Sequence, residues 1–336
     1  MTMALSPSSS ESPAGASRGK ALAAAAIRLG ALATFAAIMA YFALTARGFA
    51  TPFNIVNVIE QSAILGILAF GMSVVIIGGG SEVQTGGIDL SLAANAGLCA
   101  AVFATATNAG MAAPVAIAAT LGTGMLVGAV NGFAVVGLGI LPLLATLASM
   151  NIVAGIELTL TENTVLSTSS PLLSVLASGR FLGISALAWV LIAASVIVGL
   201  VIHRTPVGLR LYAVGGHPEA ARAAGLNVGL HVWGTYVFAG LCAGLAAILI
   251  VSRLSASTPG TGELLLSILA AALLGTVFSR RFVPTVGGTV LSVIFIGFLA
   301  NGFQLLHLSS YWVSGVQGAL ILLVVAVTSY ARPQEH

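Results

Sequence analysis

The chain has 336 residues, of which 58% are hydrophobic and only 6% are charged, with a net charge of +3. Soluble proteins carry about a quarter of their residues as charged ones. A water-soluble core has no room for so much apolar surface, so soluble folds are excluded. The 40 glycines fit this conclusion, because small residues let membrane helices approach closely. The sequence therefore predicts an all-α, polytopic transmembrane bundle.

The chain begins with a segment rich in serine, proline, alanine and glycine, residues 1–20, which we expect to be a disordered cytoplasmic tail. The apolar run that starts near Ala21 continues to about Ala46. That length is sufficient to cross a bilayer, so we interpret the run as an uncleaved first helix rather than a signal peptide. Residues 21–332 are expected to form one transmembrane domain.

Apolar runs of about 20 residues, the length that a spanning helix requires, recur along the chain. They predict ten transmembrane helices, at 24–45, 56–78, 88–107, 112–136, 140–160, 184–202, 231–251, 264–278, 286–304 and 312–330. An even number of spans places both termini on one side. With the N-terminus inside, the inner segments hold nine basic residues and the outer segments hold three. The excess of positive charge predicts that both termini and the loop 203–230 are cytoplasmic.

Two glycine clusters follow one another at the end of the second predicted helix, with the carboxylate of Glu82 between them and that of Asp89 just after the second. Asp89 stands directly before the third predicted helix, where its carboxylate is placed to accept a hydrogen bond from the amide of Ser91 or Leu92. Alternatively, this broken region lines a translocation route, because non-helical backbone at membrane depth must face protein or water. The sequence leaves both interpretations open.

Polar side chains inside the predicted spans mark candidate pore-lining positions, although hydrogen bonding between helices is the alternative for the amides. Glu60 and Glu157 are expected near outer helix ends, in contact with water. An uncharged route rich in hydroxyls and amides suits a neutral, polyhydroxylated solute better than an ion. The candidates for the translocation pathway are Gln61, Asp89, Ser91, Asn95, Thr146, Asn301 and Gln304.

The predicted loop 203–230 is the longest polar interruption of the chain. Six charged residues or histidines fall between His203 and Arg222, in a protein with few charges elsewhere. We therefore interpret this loop as a contact for a soluble partner, in preference to an ordinary solvated connection.

Within this loop the sequence predicts one short helix of about seven residues, after a flexible break at Gly215 and Gly216. Pro218 suits the first helical turn, Glu219 suits the positive end of the helix dipole, and Gly225 suits the stop. So short a helix is marginal in water and needs a docking surface to persist. A groove on a partner would supply that surface.

Catalytic chemistry has no visible place in the sequence. Lys20 is the only lysine, so a phosphate-binding loop, which requires a lysine before its Ser or Thr, cannot be built. The histidines lack metal-binding spacing, and Cys99 and Cys242 are expected to be packing residues. We expect no catalytic residue, metal or cofactor in this chain.

Several segments, spread in order over about residues 45–330, carry a family resemblance. They are Gly86–Ser91 (GGIDLS), Pro142–Leu147 (PLLATL) with Gly155 following, Thr205–Leu226, Leu299–Gln304 (LANGFQ) and Ser309–Trp312 (SSYW). Through them the chain resembles the ribose-type sugar ABC transporter permeases, which are the membrane subunits of bacterial carbohydrate importers.

The resemblance implies a complex in the bacterial inner (plasma) membrane. Its parts would be two permease subunits, two ATP-binding subunits that carry ATP and Mg, and a periplasmic or surface-tethered solute-binding protein; no nucleic acid is expected. It also implies a coupling helix that docks on the ATPase, and a GGIDLS hallmark near the substrate route. The implied coupling residues are Gly215, Gly216, His217, Pro218, Glu219, Arg222 and Gly225.

The chain departs from the family pattern at two places. Gly79–Gln84 is interpreted as an insertion before the hallmark, and Val277–Pro284, with Arg280 and Arg281, replaces a glycine-rich turn. Both fall on the predicted cytoplasmic side, so they indicate a non-standard ATPase partner or one half of a heterodimeric permease pair.

The sequence favours a monosaccharide as the solute without naming it. A sugar alcohol, a nucleoside, a furanose-like signal or a branched-chain amino acid are alternatives within the same class of importer. A transporter driven by an ion gradient is an alternative from another class, and Asp89 is the candidate to bind its coupling ion.

Overall fold

The computed structural model describes residues 13–80, 86–279 and 283–331. Helices dominate this part of the chain. They are α1 (Pro13–Thr45), α2 (Pro52–Gly79), α3 (Leu92–Asn108), α4 (Ala113–Val136), α5 (Pro142–Leu160), α6 (Pro171–Ser178), α7 (Ala186–Arg204), α8 (Pro206–Gly216), α9 (Pro218–Ala223), α10 (Val228–Leu254), α11 (Leu265–Val277), α12 (Val286–Leu305) and α13 (Ser310–Ala331). A 3-10 helix at Thr261–Leu264 precedes α11.

Four two-residue strands lie in the connections. Strand β1 (Leu166–Ser167) pairs antiparallel with β4 (Ala256–Ser257), and β2 (Arg180–Phe181) pairs antiparallel with β3 (Ile184–Ser185). The first pair ties the segment after α5 to the end of α10. These ladders are too short to alter the all-α class of the fold.

Six helices are long and apolar enough to cross a bilayer: α2, α4, α5, α7, α10 and α12. Four shorter apolar helical segments lie at Leu29–Thr45, Leu92–Asn108, Thr261–Val277 and Tyr311–Val324. All ten coincide with helices predicted from the sequence, which confirms the all-α, multi-helix architecture. That all ten span the membrane stays a prediction.

The structure differs from the sequence prediction at the start of the first helix and within the loop 203–230. Helix α1 begins at Pro13, so residues 13–20 are helical rather than part of a disordered tail; their alanines and the adjoining apolar run favour the helix. Residues 1–12 lie outside the described residues. The loop 203–230 contains a second helix, α8, that the sequence analysis did not predict. Thr205 caps α8 by accepting a hydrogen bond from the amide of Val207 at 3.2 Å.

The centre of the bundle is the pair α2 and α10, which are the most deeply buried long helices. Helix α4 crosses α10 at glycines. A Cβ at Gly124 would collide with the carbonyl oxygen of Gly240, and one at Gly240 would collide with that of Gly124; Gly128 meets the carbonyl of Tyr236 in the same way. In a bilayer, where lipid gives helices no hydrophobic drive to associate, such close backbone approach replaces it.

Helix α8 packs on α2, α7 and α10. Its Gly215 lies so close to α2 that a Cβ there would collide with the carbonyl oxygen of Ile77. Gly215 and Gly216 are the last two residues of α8. The flexible break predicted at these two glycines is therefore wrong. The break falls at His217, which has φ −144° and ψ 83° and separates α8 from α9.

Candidate functional site

The segment 86–91 begins against the last turns of α2, at a point where only glycine fits. The Gly87 amide donates to the carbonyl of Gly80 at 3.0 Å, and a Cβ at Gly87 would collide with the carbonyl oxygen of Val75. The hydrogen bond joins the two residues described on either side of 81–85, and residues 81–85, which include most of the predicted insertion, lie outside the described residues. Glycine is required at position 87 because of this contact.

Asp89 is buried and is the acceptor of a small polar network. Its Oδ1 accepts from the Ser91 amide at 3.0 Å and from the Ser91 hydroxyl at 2.6 Å. Asn131 of α4 donates to Ser91 Oγ at 2.7 Å and to Asp89 Oδ1 at 3.5 Å. The predicted hydrogen bond from the Ser91 amide to Asp89 is confirmed. The predicted cap is wrong, because Ser91 is the N-cap residue of α3 and no side chain caps this helix. The role of Asn131 was not predicted from the sequence. The sequence indicates it only by the presence of an amide side chain within an apolar span.

Two more pathway candidates lie around the start of α3. The Thr146 hydroxyl of α5 accepts from the Leu90 amide at 3.1 Å and donates to the carbonyl of Pro142 at 2.8 Å. Asn95 donates to the carbonyl of Gly124 at 3.1 Å. Asp89, Ser91, Asn95 and Thr146 therefore form one buried cluster, called the inner polar cluster, that fastens α3 to α4 and α5.

The remaining candidates lie toward the opposite end of α2. Asn301 of α12 forms a reciprocal amide pair with Asn54, with Nδ2 to Oδ1 distances of 2.8 and 3.1 Å. Asn54 lies in the first turn of α2, roughly 37 Å along the helix from Gly79 at about 1.5 Å per residue. Gln61 donates to Asn57 on the same helix at 3.1 Å. The seven candidates thus divide between two ends of the bundle.

Gln304 lines an open polar cavity of about 690 Å³ between the ends of α11, α12 and α13. Ser267, His307, Ser314 and Gln317 contribute hydroxyl, imidazole and amide groups to its wall. Ser267 donates to Gln317 Oε1 at 3.1 Å. The rest of the wall is apolar or hydroxyl-bearing, and no aspartate, glutamate, lysine or arginine is among its described lining residues. Such a lining is expected for a neutral solute.

Glu157 departs from the sequence expectation. Its side chain is only 4% exposed, so the prediction of a water-exposed position is wrong. Its carboxylate packs on Gly97 of α3, where an added Cβ would lie 2.6 Å from Oε2. Its Oε1 has no hydrogen-bond partner among the described residues.

Helix α9 confirms the short helix predicted at this position, and it presents a charged pair outward. Glu219 and Arg222 form an ion pair at 2.7 Å, and their side chains are 89% and 58% exposed. The opposite side of α9 is anchored because Ala221 is buried against Val214 of α8 and Val228 of α10. Gly225 has φ +83°, the left-handed conformation that a helix-ending glycine adopts readily.

The segment Val277–Pro284, which departs from the family pattern, contacts α8 through its last residue. The Tyr212 hydroxyl donates to the carbonyl of Pro284 at 2.9 Å. Burial raises the pKa of Tyr212 to about 12, so the phenol keeps its proton and remains a donor over the physiological range. Arg280 and Arg281 lie outside the described residues.

Fold and site together define a multi-pass membrane protein with a helical extension, α8 and α9, that offers a charged surface. Residues 54–325 match the protein family described as the branched-chain amino acid transport system / permease component. The chain belongs to this family of permeases.

Individual relatives extend the similarity over most of the chain. The chain is 35% identical over 281 residues to a ribose import permease of Bacillus subtilis, covering 82% of this chain and 85% of the relative. A ribose import permease of Escherichia coli K12 is 35% identical over 285 residues, covering 83% and 86%. An L-arabinose ABC transporter permease of Azospirillum brasilense is 30% identical over 310 residues, covering 92% and 89%. No solved structure matches the chain.

Proposed function

We propose that this chain is the permease subunit of a binding-protein-dependent ABC importer that carries a monosaccharide across the bacterial plasma membrane. The observation that carries the proposal is the surface of α9, which is fixed to the bundle on one side and presents Glu219 and Arg222 on the other. Relatives named for ribose and L-arabinose, similar over most of their length, support the substrate class.

The mechanism follows from how α9 is joined to the bundle. Ala221 binds α9 to Val214 of α8. The end of α8 contacts the end of α2 through Gly215 and Ile77, and the segment 86–91 begins beside that contact. A displacement of α9 by a partner is thereby passed to the base of the inner polar cluster through packed backbone, which cannot absorb it by side-chain rearrangement.

The ATP-binding subunit is the partner that α9 meets in this proposal, and ATP and Mg belong to that subunit. Gly215, Gly216, His217, Pro218 and Gly225 shape the presentation of α9, while Glu219 and Arg222 set its register on the ATPase. A second permease copy or a related chain, and an external solute-binding protein, complete the complex.

The topology that serves this function has ten spans with both termini in the cytoplasm. It places α9 and the inner polar cluster at the cytoplasmic side, and the Asn54–Asn301 pair and the cavity at Gln304 at the outer side. Solute would enter near Gln304 and Gln61. It would leave past Asp89, Ser91, Asn95 and Thr146 when those helices move apart.

A branched-chain amino acid is the second candidate for the solute, since the matching family is described by that substrate. A free amino acid carries two charges, and a site for it needs groups that neutralise them. Around Gln304 the described lining combines amides, hydroxyls and one imidazole with apolar side chains and holds no carboxylate, lysine or arginine. The lack of groups to neutralise an amino acid favours a neutral sugar.

The solute-binding protein that co-purifies with the permease decides between these substrates. We expect it to bind a pentose or another monosaccharide in equilibrium dialysis against a panel of sugars, sugar alcohols, nucleosides and amino acids. Binding of leucine or valine with no sugar bound would overturn the monosaccharide proposal and leave the ABC permease assignment intact.

A further inference from the structure

A crevice lies between α7 and α10 where both helices meet α8, and it has a volume of about 290 Å³. Val198, Val201 and Ile202 of α7, Leu211 of α8 and Phe238 of α10 are among the residues that line it. We call it the α7–α10 crevice.

The chemistry of this lining excludes a polar occupant. Of the described lining residues, His231 and Thr235 alone have polar side chains. The Thr235 hydroxyl already donates to the carbonyl of Val232 at 2.7 Å, and His231 Nδ1 already contacts the carbonyl of Asn227 at 2.7 Å. A sugar or a water molecule needs two or more polar partners in such a space. Hydrocarbon is the occupant that this lining fits.

The rim of the α7–α10 crevice is apolar and open. Ile197, Val207 and Leu230 line it, and their side chains are 61%, 49% and 60% exposed. Exposed aliphatic side chains on a membrane bundle face lipid, so the crevice communicates with the acyl-chain region of the bilayer. A chain that fills it gains the dispersion contacts that an empty gap forfeits.

Two basic residues lie next in sequence to the lining at the end of the crevice near α8. Val201 and Leu211 line the crevice; Arg204 lies three residues after the first, and Arg210 directly precedes the second. Both arginines are exposed. Helices α7, α8 and α10 contain no aspartate or glutamate along their described lengths, and Glu219 of the adjoining α9 is paired with Arg222. The charge at this end therefore complements an anion.

We propose that the α7–α10 crevice binds an acyl chain of an anionic phospholipid from the inner leaflet, with the lipid phosphate held by Arg204 and Arg210. The assignment to the inner leaflet rests on the proposed function, which places α8 on the cytoplasmic side. Because α8 forms one wall and leads directly into α9, the bound lipid supports the helix that carries the coupling surface.

Lipid binding is measured by native mass spectrometry on the full-length permease in detergent, with phosphatidylglycerol and phosphatidylcholine of identical acyl chains. We expect the wild-type chain to retain phosphatidylglycerol in preference. Gly234→Phe fills the crevice, since Gly234 lines it and a Cβ there meets no atom within 4 Å, and this variant should lose the bound lipid. Gly155→Phe is the matched control, because Gly155 of α5 is equally open and lies outside the crevice.

A charge variant tests the headgroup separately from the cavity. Arg204→Gln with Arg210→Gln should weaken phosphatidylglycerol binding by on the order of tenfold. It should weaken phosphatidylcholine binding less, because the choline ammonium offsets the charge of that lipid's phosphate. Arg253→Gln, at the opposite end of α10, should change neither.

Equal retention of both lipids by the wild-type chain would overturn the proposal, and so would full retention of phosphatidylglycerol by Gly234→Phe. If Gly234→Phe loses a permease dimer while the lipid stays bound, the crevice is a contact between protein chains instead. The assay uses neither ATP nor solute. A chain that binds phosphatidylglycerol and transports no sugar would therefore contradict the proposed function alone.

Discussion

Glu219 and Arg222 are the two charged side chains that α9 presents to a partner. They are highly exposed and paired one helical turn apart. An exposed ion pair of this kind contributes about 0–1 kcal/mol to stability, which is too little to explain the burial of Ala221 beneath it. We infer that the pair serves recognition, and that Ala221 holds the helix in place.

Reversing the pair separates recognition from stability. Glu219→Arg or Arg222→Glu is expected to lower ATP-driven uptake about tenfold or more, because like charges then meet both the neighbouring side chain and the ATPase. The double reversal restores an ion pair within α9 but inverts its polarity. Uptake and ATP hydrolysis in proteoliposomes measure coupling, and membrane insertion should be unchanged.

Uptake by the double reversal distinguishes recognition by the partner from stabilisation of α9. If it stays uncoupled, the partner reads the polarity of α9, as proposed. Normal uptake in the double reversal would show that the pair merely stabilises the helix, and the coupling role of both residues would be lost.

Asn131 is a buried side chain that links α4 to Ser91 and Asp89. Asn131→Leu removes the amide that donates to Ser91 and Asp89 and leaves a buried carboxylate with fewer partners. We expect the free energy of unfolding to fall by about 1–3 kcal/mol, measured by denaturant titration in detergent. Asn151→Leu is the control, because Asn151 is exposed and bonds only a carbonyl of its own helix. An equal loss in both variants would contradict a special role for Asn131.

Among the helices, α4 and α10 pack so closely where they cross that only glycine fits there. Gly240→Leu is expected to destabilise the fold by at least about 1–3 kcal/mol, because its Cβ would collide with backbone of α4 that cannot rotate away. Gly122→Leu adds the same side chain on α4 where no atom lies within 4 Å. Thermal stability of the two detergent-solubilised variants should differ accordingly. Similar melting temperatures would show that the two helices separate easily.

Helix α8 shows where reading elements from sequence fails. Gly208, Gly215 and Gly216 between Pro206 and His217 have the composition of a loop. In the structure Gly208 lies against the carbonyl of Ile202, and Gly215 against that of Ile77. Gly208 and Gly215 therefore serve close packing between helices, a tertiary requirement that local propensity does not express.

At the scale of the whole molecule, the positions of ten apolar helices were predictable because a bilayer requires every backbone group to bond within its own helix. Helix α9 was also predictable, since Pro218, Glu219 and Gly225 are local signals of a start and a stop. Such signals act over a few residues, and there the sequence was sufficient.

Contacts between distant segments were not predictable. Asn131 meets Asp89, Asn54 meets Asn301, and Glu157 meets Gly97 across separate helices. Each depends on which faces of two helices meet. Nearly uniform hydrophobicity around these helices gives no apolar stripe from which to read that orientation.

ATP hydrolysis by a partner subunit is proposed to drive sugar transport through this chain. Proteoliposomes containing the permease and its ATP-binding subunit, with the solute-binding protein supplied on the opposite side to ATP, test it directly through uptake of a radiolabelled monosaccharide. Uptake is predicted to require ATP and to persist when ionophores collapse the membrane potential and ion gradients. Uptake that proceeds without ATP and stops with the ionophores would contradict the account and identify an ion-coupled transporter, with Asp89 as its candidate ion site.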